Sequence, residues 1–180
     1  MRKALVPLVL LGGTALLLSA CMHMPVGNPT VPQPSKPVDL KAYAGLWYEI
    51  GRYENRFEKG CEAVTAQYSL RDDGLVQVVN SCRQGATDGP VKVSQGKAKI
   101  VENSQNAKLK VSFFGPFFVG DYWVLDRADD YSWSIVGEPR GKYLWILTRD
   151  PNPSESTRQG LMTRVKALGY DTALIRPTQH

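Results

Sequence analysis

Short β-rich runs separated by turn sequences are the feature that most limits the fold of this chain. Eight such runs lie between Leu46 and Arg149, at 46–54, 62–70, 75–83, 91–101, 107–114, 119–126, 132–138 and 143–149. Turn-forming residues separate them, among them Asp72-Asp73-Gly74 and Gly115-Pro116. No helical segment lies between consecutive runs, which excludes a parallel sheet with crossover helices. The pattern predicts an all-β fold, either an antiparallel sandwich or a closed up-and-down barrel.

The sequence predicts one helix, near the C-terminus. Ser154 follows a proline and offers an N-cap, and apolar residues recur from Leu161 to Leu168 at the spacing of a helix face. Gly169 suits the position after the last helical turn. A short apolar run at 173–175 favours one more strand. Eight strands followed by one packing helix would leave an interior wide enough for side chains or for one small ligand.

The composition narrows the functional classes. The chain has 180 residues, the size of one domain with appendages, and an ordinary 43% of hydrophobic residues. Its net charge of +5 falls to about +3 without Arg2 and Lys3, too weak to indicate a nucleic-acid partner. The only histidines, His23 and His180, lie in the tails, so a histidine triad or metal site inside the fold is not expected. No cofactor and no metal are predicted.

The first 21 residues have the pattern of a lipoprotein signal. Arg2 and Lys3 precede an apolar run, and the segment then ends in Leu18-Ser19-Ala20-Cys21. This ending resembles the bacterial lipoprotein box, which implies removal of residues 1–20 and attachment of acyl chains to Cys21. An ordinary secreted protein is the alternative. By the same resemblance, Met22 rather than an aspartate after the cysteine favours the outer membrane.

Residues 21–37 are predicted to form a lipid-anchored, proline-rich linker ahead of a domain at 38–180. They contain five prolines and no acidic residue. A proline-rich segment is semi-rigid at about 3.1 Å per residue, so the domain could stand roughly 50 Å from the membrane. An irregular arm docked on the domain is the alternative.

Three short motifs of this chain resemble those of one known family. Gly45-Leu46-Trp47 places Gly-x-Trp at the start of the first predicted strand, and Thr148-Arg149 ends the last one. Asp129-Asp130-Tyr131 lies between the sixth and seventh strands, where the family's second motif lies, with Asp in place of Thr. Together with the anchor, they make the chain similar to the bacterial lipocalins of the outer membrane. The resemblance implies an eight-stranded antiparallel up-and-down barrel with the C-terminal helix packed outside.

Trp47 and Arg149 are predicted to meet at the closed end of this barrel. A large aromatic ring on the first strand can close that end, and a guanidinium group can lie on the indole and donate to nearby carbonyl groups. The alternative is a core tryptophan and a solvated strand end. In both cases the role is structural rather than catalytic.

Cys61 and Cys82 are predicted to form a disulfide. Cys61 begins the second strand and Cys82 ends the third, within a residue or two of being opposite if Asp72-Asp73 lie near the hairpin tip. Opposed strand residues lie within disulfide reach, and export places the domain in an oxidising compartment. Two buried thiols are the alternative, because a shift of one residue would place the cysteines on opposite faces.

The family resemblance implies a binding function. It implies a small hydrophobic ligand such as a fatty acid or lysophospholipid, held for cell-envelope maintenance by a protein anchored in the outer membrane with its domain facing the periplasm. The candidate pocket residues are Glu49, Tyr53, Phe113, Tyr122 and Trp133. Glu49 and Tyr53 follow Trp47 by the two-residue period of a strand and share its face. An inward carboxylate needs a partner, so Glu49 either positions a headgroup or is tied into hydrogen bonds.

Two other functions are alternatives to this binding function: a lipid-modifying enzyme of isomerase type, and a structural envelope protein with a plugged barrel. An enzyme is disfavoured because lipidation consumes Cys21 and pairing consumes Cys61 and Cys82, which leaves no thiolate. No histidine is available as a general base. We therefore predict a binder that is not an enzyme. The sequence leaves homodimer formation open.

Overall fold

A computed structural model describes residues 27–180. The predicted signal peptide, Cys21 and the first residues of the predicted linker lie outside the described residues. The described part contains nine strands: β1 (Gly45–Tyr53), β2 (Cys61–Leu70), β3 (Val76–Gln84), β4 (Val91–Ile100), β5 (Lys108–Ser112), β6 (Gly120–Arg127), β7 (Trp133–Gly137), β8 (Leu144–Thr148) and β9 (Ile175–Pro177). Its helices are α1 (Leu40–Tyr43), α2 (Glu155–Ala167) and a 3-10 turn at Thr172–Leu174.

Strands β1 to β8 form a closed antiparallel barrel. Each strand pairs with the next in sequence, β8 pairs with β1, and β1 also pairs with β2. This closure excludes the sandwich and confirms the predicted up-and-down barrel. Every observed strand of the barrel ends within two residues of its predicted bounds, because the turn sequences between the strands set those bounds.

The antiparallel order places alternate connections at the same end of the barrel. We call the end formed by connections 54–60, 85–90, 113–119 and 138–143 the mouth. We call the opposite end the floor; it consists of α1 and connections 71–75, 101–107 and 128–132. Residues of α1 line the interior, so this short helix, which the sequence did not predict, covers the floor.

A bulge in β1 reverses which of its side chains face inward. The register with β8 shifts between Glu49 and Gly51, which makes Ile50 an extra residue. Trp47 and Glu49 face the interior, whereas Ile50 and Tyr53 belong to the apolar cluster beneath α2. The prediction that Tyr53 shares the inward face of Trp47 is therefore wrong, because one added residue inverts a two-residue period.

The C-terminal strand β9 replaces β2 as the neighbour of β1 near the mouth. Residues 45–48 of β1 pair with β2, but residues 51–53 pair with β9. The backbone amide of Ala63 in β2 donates to the carbonyl of Gln179, so the C-terminal segment bridges β1 and β2 where these strands separate. The sequence anticipated this short strand at 173–175; the structure places it at Ile175–Pro177, after the 3-10 turn.

Helix α2 packs on the outer face of the barrel, as predicted. The Ser154 hydroxyl accepts from a backbone amide of the first turn at 3.2 Å, and Gly169 has a φ of +88°, which glycine adopts without steric cost. Leu161 and Val165 are buried in the cluster between the helix and the sheet. Within residues 27–180, no helix is long and apolar enough to span a membrane.

The described part of the predicted linker, residues 27–37, lies along the outside of the barrel; we call it the arm. At one end of the arm, the Gly27 carbonyl accepts from Asp171 N at 2.9 Å, and Asn28 Nδ2 donates to the Leu168 carbonyl at 2.9 Å. At the other end, the Pro37 carbonyl accepts from the Arg127 guanidinium at 2.7 Å and 3.1 Å. These residues thus follow the alternative of a docked arm, so the reach of roughly 50 Å estimated for a free linker does not apply to them.

The Cys61–Cys82 disulfide is confirmed. Cys61 lies opposite Gln84, two residues from Cys82, and an irregularity in β2 after Glu62 brings the two cysteines to a Cα–Cα distance of 5.5 Å. Both cysteines are buried and pack with Val64. The bond therefore ties β2 to β3 near the mouth.

Reduction of this disulfide should lower the free energy of unfolding by about 3 kcal/mol, because the bond closes a loop of 21 residues in the unfolded chain. Urea unfolding of the oxidised protein and of the Cys61→Ala/Cys82→Ala variant measures the difference. Equal midpoints would show that the bond does not constrain the unfolded chain.

Candidate ligand cavity

A cavity of about 540 Å³ occupies the interior of the barrel. This volume lies within the range of about 300–1,000 Å³ that is usual for small-molecule sites. Aliphatic side chains from six strands line its middle: Val64, Ala66, Val76, Val78, Ala98, Leu109, Val111, Val124 and Leu147. The barrel is therefore hollow and apolar over most of its depth, which contradicts the plugged-barrel alternative.

Trp47 and Arg149 meet beneath this cavity, next to α1. The guanidinium carbon of Arg149 lies 3.7 Å from the centre of the indole ring, and Trp47 itself is fully buried. The same guanidinium donates to five carbonyl groups at 2.6–3.3 Å, those of Ala42, Tyr43, Ala44, Leu46 and Tyr131. One side chain thus connects α1, the start of β1 and the connection between β6 and β7.

A hydrogen-bonded group of tyrosines forms the polar part of the deep cavity. The hydroxyl of Tyr122 lies 2.8 Å from that of Tyr43 and 3.0 Å from that of Tyr68, and Tyr43 also bonds the Ser134 hydroxyl at 2.9 Å. Burial raises the pKa of Tyr43 to about 12 and raises the pKa values of Tyr68 and Tyr122 well above their usual range. The phenols are therefore neutral at physiological pH, and the deep cavity carries no charge from them.

Glu49 also lines the cavity, but its carboxylate is already bound by the protein. Glu49 Oε1 accepts from Arg52 Nη1 at 2.7 Å and from the Thr178 hydroxyl, and all three side chains are buried. Arg52 in turn donates to the carbonyls of Glu58 and Cys61 at 2.9 Å and 3.2 Å. The sequence left two roles open for Glu49, either to position a ligand headgroup or to be tied into hydrogen bonds. These contacts favour the second role, in which the carboxylate links β1 to the C-terminal segment.

The stability of the fold should fall as the pH rises from about 4.5 to 7. Burial, with a smaller effect of the neighbouring Glu58, raises the pKa of Glu49 to about 7 against the opposing effect of Arg52. Over this interval the folded protein retains a proton that the unfolded chain releases. The free energy of unfolding therefore decreases by at most about 1.4 kcal/mol per pH unit, and the stabilisation present below pH 4.5 is lost.

Urea unfolding of wild type and of Glu49→Gln between pH 4 and 8 measures this dependence. Glu49→Gln should remove the slope, whereas Glu102→Gln, at an exposed position, should keep it. Parallel profiles for wild type and Glu49→Gln would show that another group titrates.

Cationic side chains surround the cavity at the mouth. Acids also line this end, each with a partner: Glu138 pairs with Arg140 at 3.3 Å, Asp121 with Lys110 at 2.6 Å, and Glu58 accepts from Trp145 Nε1 at 2.9 Å. Among the cations, Arg56 lies in the connection between β1 and β2, Lys92 in β4 and Arg140 in the connection between β7 and β8, and all three line the cavity and are exposed. The sequence analysis missed them because two lie in loops and because Lys92 sits in a run of alternating valines. In Val91-Lys92-Val93-Ser94, the polar residues line the cavity and the valines are exposed on the outside, the reverse of the usual pattern.

The structure brings three of the five predicted pocket residues to the cavity. Glu49, Phe113 and Tyr122 line it, at the wall, the mouth and the deep part respectively. Tyr53 lies outside the barrel because of the bulge described above. Trp133 also lies outside: it packs in the cluster beneath α2, with the guanidinium of Arg164 4.7 Å from its ring centre, so its assignment to the pocket is corrected.

Among residues 27–180, no group of three or more acidic, histidine or cysteine side chains is arranged to hold a metal ion.

A hollow eight-stranded barrel with an outer helix and an Arg–Trp contact at its floor defines a lipocalin-type protein. The chain belongs to the lipocalin family: the family model of the lipocalin-like domain matches residues 38–180. Binding of small hydrophobic ligands is general to this family.

Bacterial outer-membrane lipoproteins are among the most similar relatives. The outer membrane lipoprotein Blc of Escherichia coli K12 is 41% identical over 172 residues, which cover 94% of this chain and 93% of the relative. Blc of Vibrio cholerae is 38% identical, with 88% and 90% covered, and the temperature-induced lipocalin-1 of Arabidopsis thaliana is 35% identical, with 79% and 80% covered. This similarity supports a lipid-anchored localisation in the bacterial outer membrane.

Solved structures share the fold at low sequence identity. Insecticyanin from the tobacco hornworm Manduca sexta has a TM-score of 0.65 at 22% identity, with 88% of this chain and 86% of that chain covered. Lobster apocrustacyanin A1 has a TM-score of 0.61 at 18% identity, with 87% and 93% covered.

Proposed function

We propose that the barrel binds one amphiphile with a long acyl chain and an anionic headgroup, such as a fatty acid or a lysophospholipid, and does no chemistry on it. The observation that carries this proposal is the change of character along the cavity. Its walls are aliphatic, its deep phenols are neutral, and its mouth carries Arg56 and Lys92 together with the Arg140–Glu138 ion pair. An acyl chain can pack against the aliphatic walls, and a carboxylate or phosphate headgroup can bind the cations at the mouth.

The expected affinity follows from the buried chain. Removal of each CH₂ group from water contributes about 0.8 kcal/mol, and this gain is reduced by the entropy lost on association. Exposed cations at the mouth add little to that sum, because water and salt screen them. Binding in the micromolar range is the result.

The groups that could carry chemistry in the cavity are already engaged. Cys61 and Cys82 line it as a disulfide, so neither provides a thiolate. Glu49 is held by Arg52 and Thr178. These contacts favour a binder over a lipid-modifying enzyme.

In the cell, the protein would hold such amphiphiles at the outer membrane for envelope maintenance. The proposal includes removal of residues 1–20, lipidation of Cys21 and a domain at 38–180 that faces the periplasm. An oxidising periplasm agrees with the disulfide.

Native mass spectrometry of the protein extracted from membranes in mild detergent tests the proposal. One noncovalent acyl lipid per chain is expected, released unchanged by collisional activation. If incubation with the protein changes the mass of the lipid, the protein is a lipid-modifying enzyme. If the protein never carries lipid, the proposed binding function is contradicted.

A further inference from the structure

We infer that the mouth of the barrel lies against the anionic surface of the membrane that holds the lipid anchor, with the loop at 113–119 in contact with the bilayer. The inference rests on the proposed lipidation of Cys21 and does not depend on what the cavity binds. The direction of the arm, the number of residues between the arm and Cys21, and the side chains at the mouth each support it.

The arm runs from the floor to the mouth. At the floor, Lys36 Nζ donates to the Arg127 carbonyl at 2.9 Å, and Val38 N donates to Gln105 O at 2.9 Å. At its other end, Asn28 lies against the mouth connection that contains Gly141: a Cβ atom on Gly141 would come within 1.8 Å of the Asn28 carbonyl oxygen. The chain therefore enters the described structure beside the mouth.

Only six peptide steps separate Cys21 from Gly27. A fully extended chain covers at most about 3.6 Å per residue, so the acylated cysteine would lie within about 22 Å of the mouth. A floor-down orientation would require these residues to pass the whole barrel. The nine-residue strand β1, tilted as barrel strands are, spans about 23 Å along the barrel axis, and the connections at both ends add to this height. The anchor thus holds the mouth, and not the floor, near the membrane.

Exposed apolar side chains are concentrated at the mouth. Phe114, Phe117 and Val119 in the connection between β5 and β6 are 87%, 71% and 81% exposed. The outward valines Val91 and Val93 of β4, noted above for their reversed pattern, are also exposed. Large apolar groups that project from one end of a protein indicate an interaction surface, and aromatic side chains are suited to the headgroup boundary of a bilayer.

The charges at the two ends of the barrel have opposite signs. In the connections that form the mouth, the exposed cations are Arg56, Lys59, Arg140 and Lys142, against the exposed acids Glu54 and Asp88. In the floor connections and in α1 with its N-cap, the exposed acids are Asp39, Asp72, Asp73, Glu102, Asp129 and Asp130, against the exposed bases Lys41 and Arg71. An anionic lipid surface would attract the mouth and repel the floor.

Fluorescence quenching in vesicles tests this orientation with the full chain. Because Cys21 would be acylated and Cys61 is bonded to Cys82, a cysteine introduced by Phe117→Cys provides a single free thiol for a fluorophore. Leu70→Cys, at the floor end of β2 and also exposed, is the matched control. Both lipidated variants are placed in vesicles of phosphatidylethanolamine and phosphatidylglycerol whose acyl chains carry bromine, which quenches only nearby fluorophores.

We expect a probe at position 117, seated at the headgroup boundary, to lose about half of its emission and a probe at position 70 to lose almost none. Quenching at position 117 should be weaker in phosphatidylcholine vesicles; equal quenching there would contradict the role of anionic lipid. Quenching at position 70, or at neither position, would overturn the orientation. Self-quenching at position 117 that grows with protein density, without quenching by bromine, would show that a second copy covers the mouth instead.

Flotation of the vesicles separates this inference from the proposal on ligand binding. A chain that does not float with the vesicles lacks the anchor, and the inference then fails whatever the barrel binds. A chain that floats and is quenched at position 117 supports the inference, even if its cavity holds no acyl lipid.

Discussion

Replacement of Arg149 by alanine is expected to lower the free energy of unfolding by about 3 kcal/mol. The guanidinium covers the Trp47 ring and donates to five carbonyl groups around α1 and the strand ends. A partly desolvated cation–π contact contributes up to about 2 kcal/mol, and carbonyl groups left without a donor add about 1 kcal/mol or more. Urea unfolding measures the change.

Two comparisons make the Arg149 result specific. Arg149→Lys keeps the charge but loses the planar group that reaches several carbonyls, so it should fall between wild type and Arg149→Ala. Arg83→Ala, at an exposed position, should change the stability by less than about 0.5 kcal/mol. Fatty-acid affinity of the folded Arg149→Ala protein should stay near that of wild type. Unchanged stability together with lost binding would instead place Arg149 in the ligand site.

Replacement of Ala66 by tryptophan should weaken fatty-acid binding about 100-fold. Ala66 is buried and lines the aliphatic middle of the cavity, so an indole there would occupy space that the acyl chain needs. Exclusion of about four CH₂ groups at about 0.8 kcal/mol each corresponds to roughly 3 kcal/mol, which is about two orders of magnitude in affinity. Titration of the folded variant with a fluorescent fatty acid measures the loss.

Gln67→Trp is the matched control for Ala66→Trp. Gln67 is the next residue of β2 and is exposed on the outer face, so this variant adds the same side chain outside the cavity. Its affinity should equal that of wild type. Val78→Trp, which enters the cavity from β3, repeats the test if Ala66→Trp does not fold. Wild-type affinity in a folded cavity variant would show that the ligand binds elsewhere.

The barrel could be predicted because local sequence carries the information for it. Turn residues separate eight β-rich runs, and an N-cap and a terminal glycine bound helix α2; these signals need no tertiary context. The disulfide was predictable for the same reason, since a hairpin fixes the separation of Cys61 and Cys82 to within a few residues.

The errors arose where tertiary packing overrides local pattern. The bulge at Ile50 shifts the register of β1 against β8, and residues 51–53 then pair with β9. As a result Tyr53 faces outward, and the alternation of residues in the sequence does not reveal this shift. Trp133 is an aromatic residue on a barrel strand, and only the position of α2 determines that it packs outside. The arm carries the composition of a free linker, yet its backbone carbonyls at Gly27 and Pro37 accept hydrogen bonds from Asp171 N and from the Arg127 guanidinium, which hold both of its ends to the domain.

Titration of delipidated wild-type protein with a fluorescent fatty acid, followed by displacement with lysophospholipid, tests the central claim most directly. The account predicts one site per barrel in the micromolar range, competed by lysophospholipid and weakened only slightly when Arg56, Lys92 and Arg140 are replaced by glutamine, because water and salt screen exposed cations. Absence of binding of either lipid to the folded protein at tens of micromolar would contradict the claim that this cavity binds acyl amphiphiles.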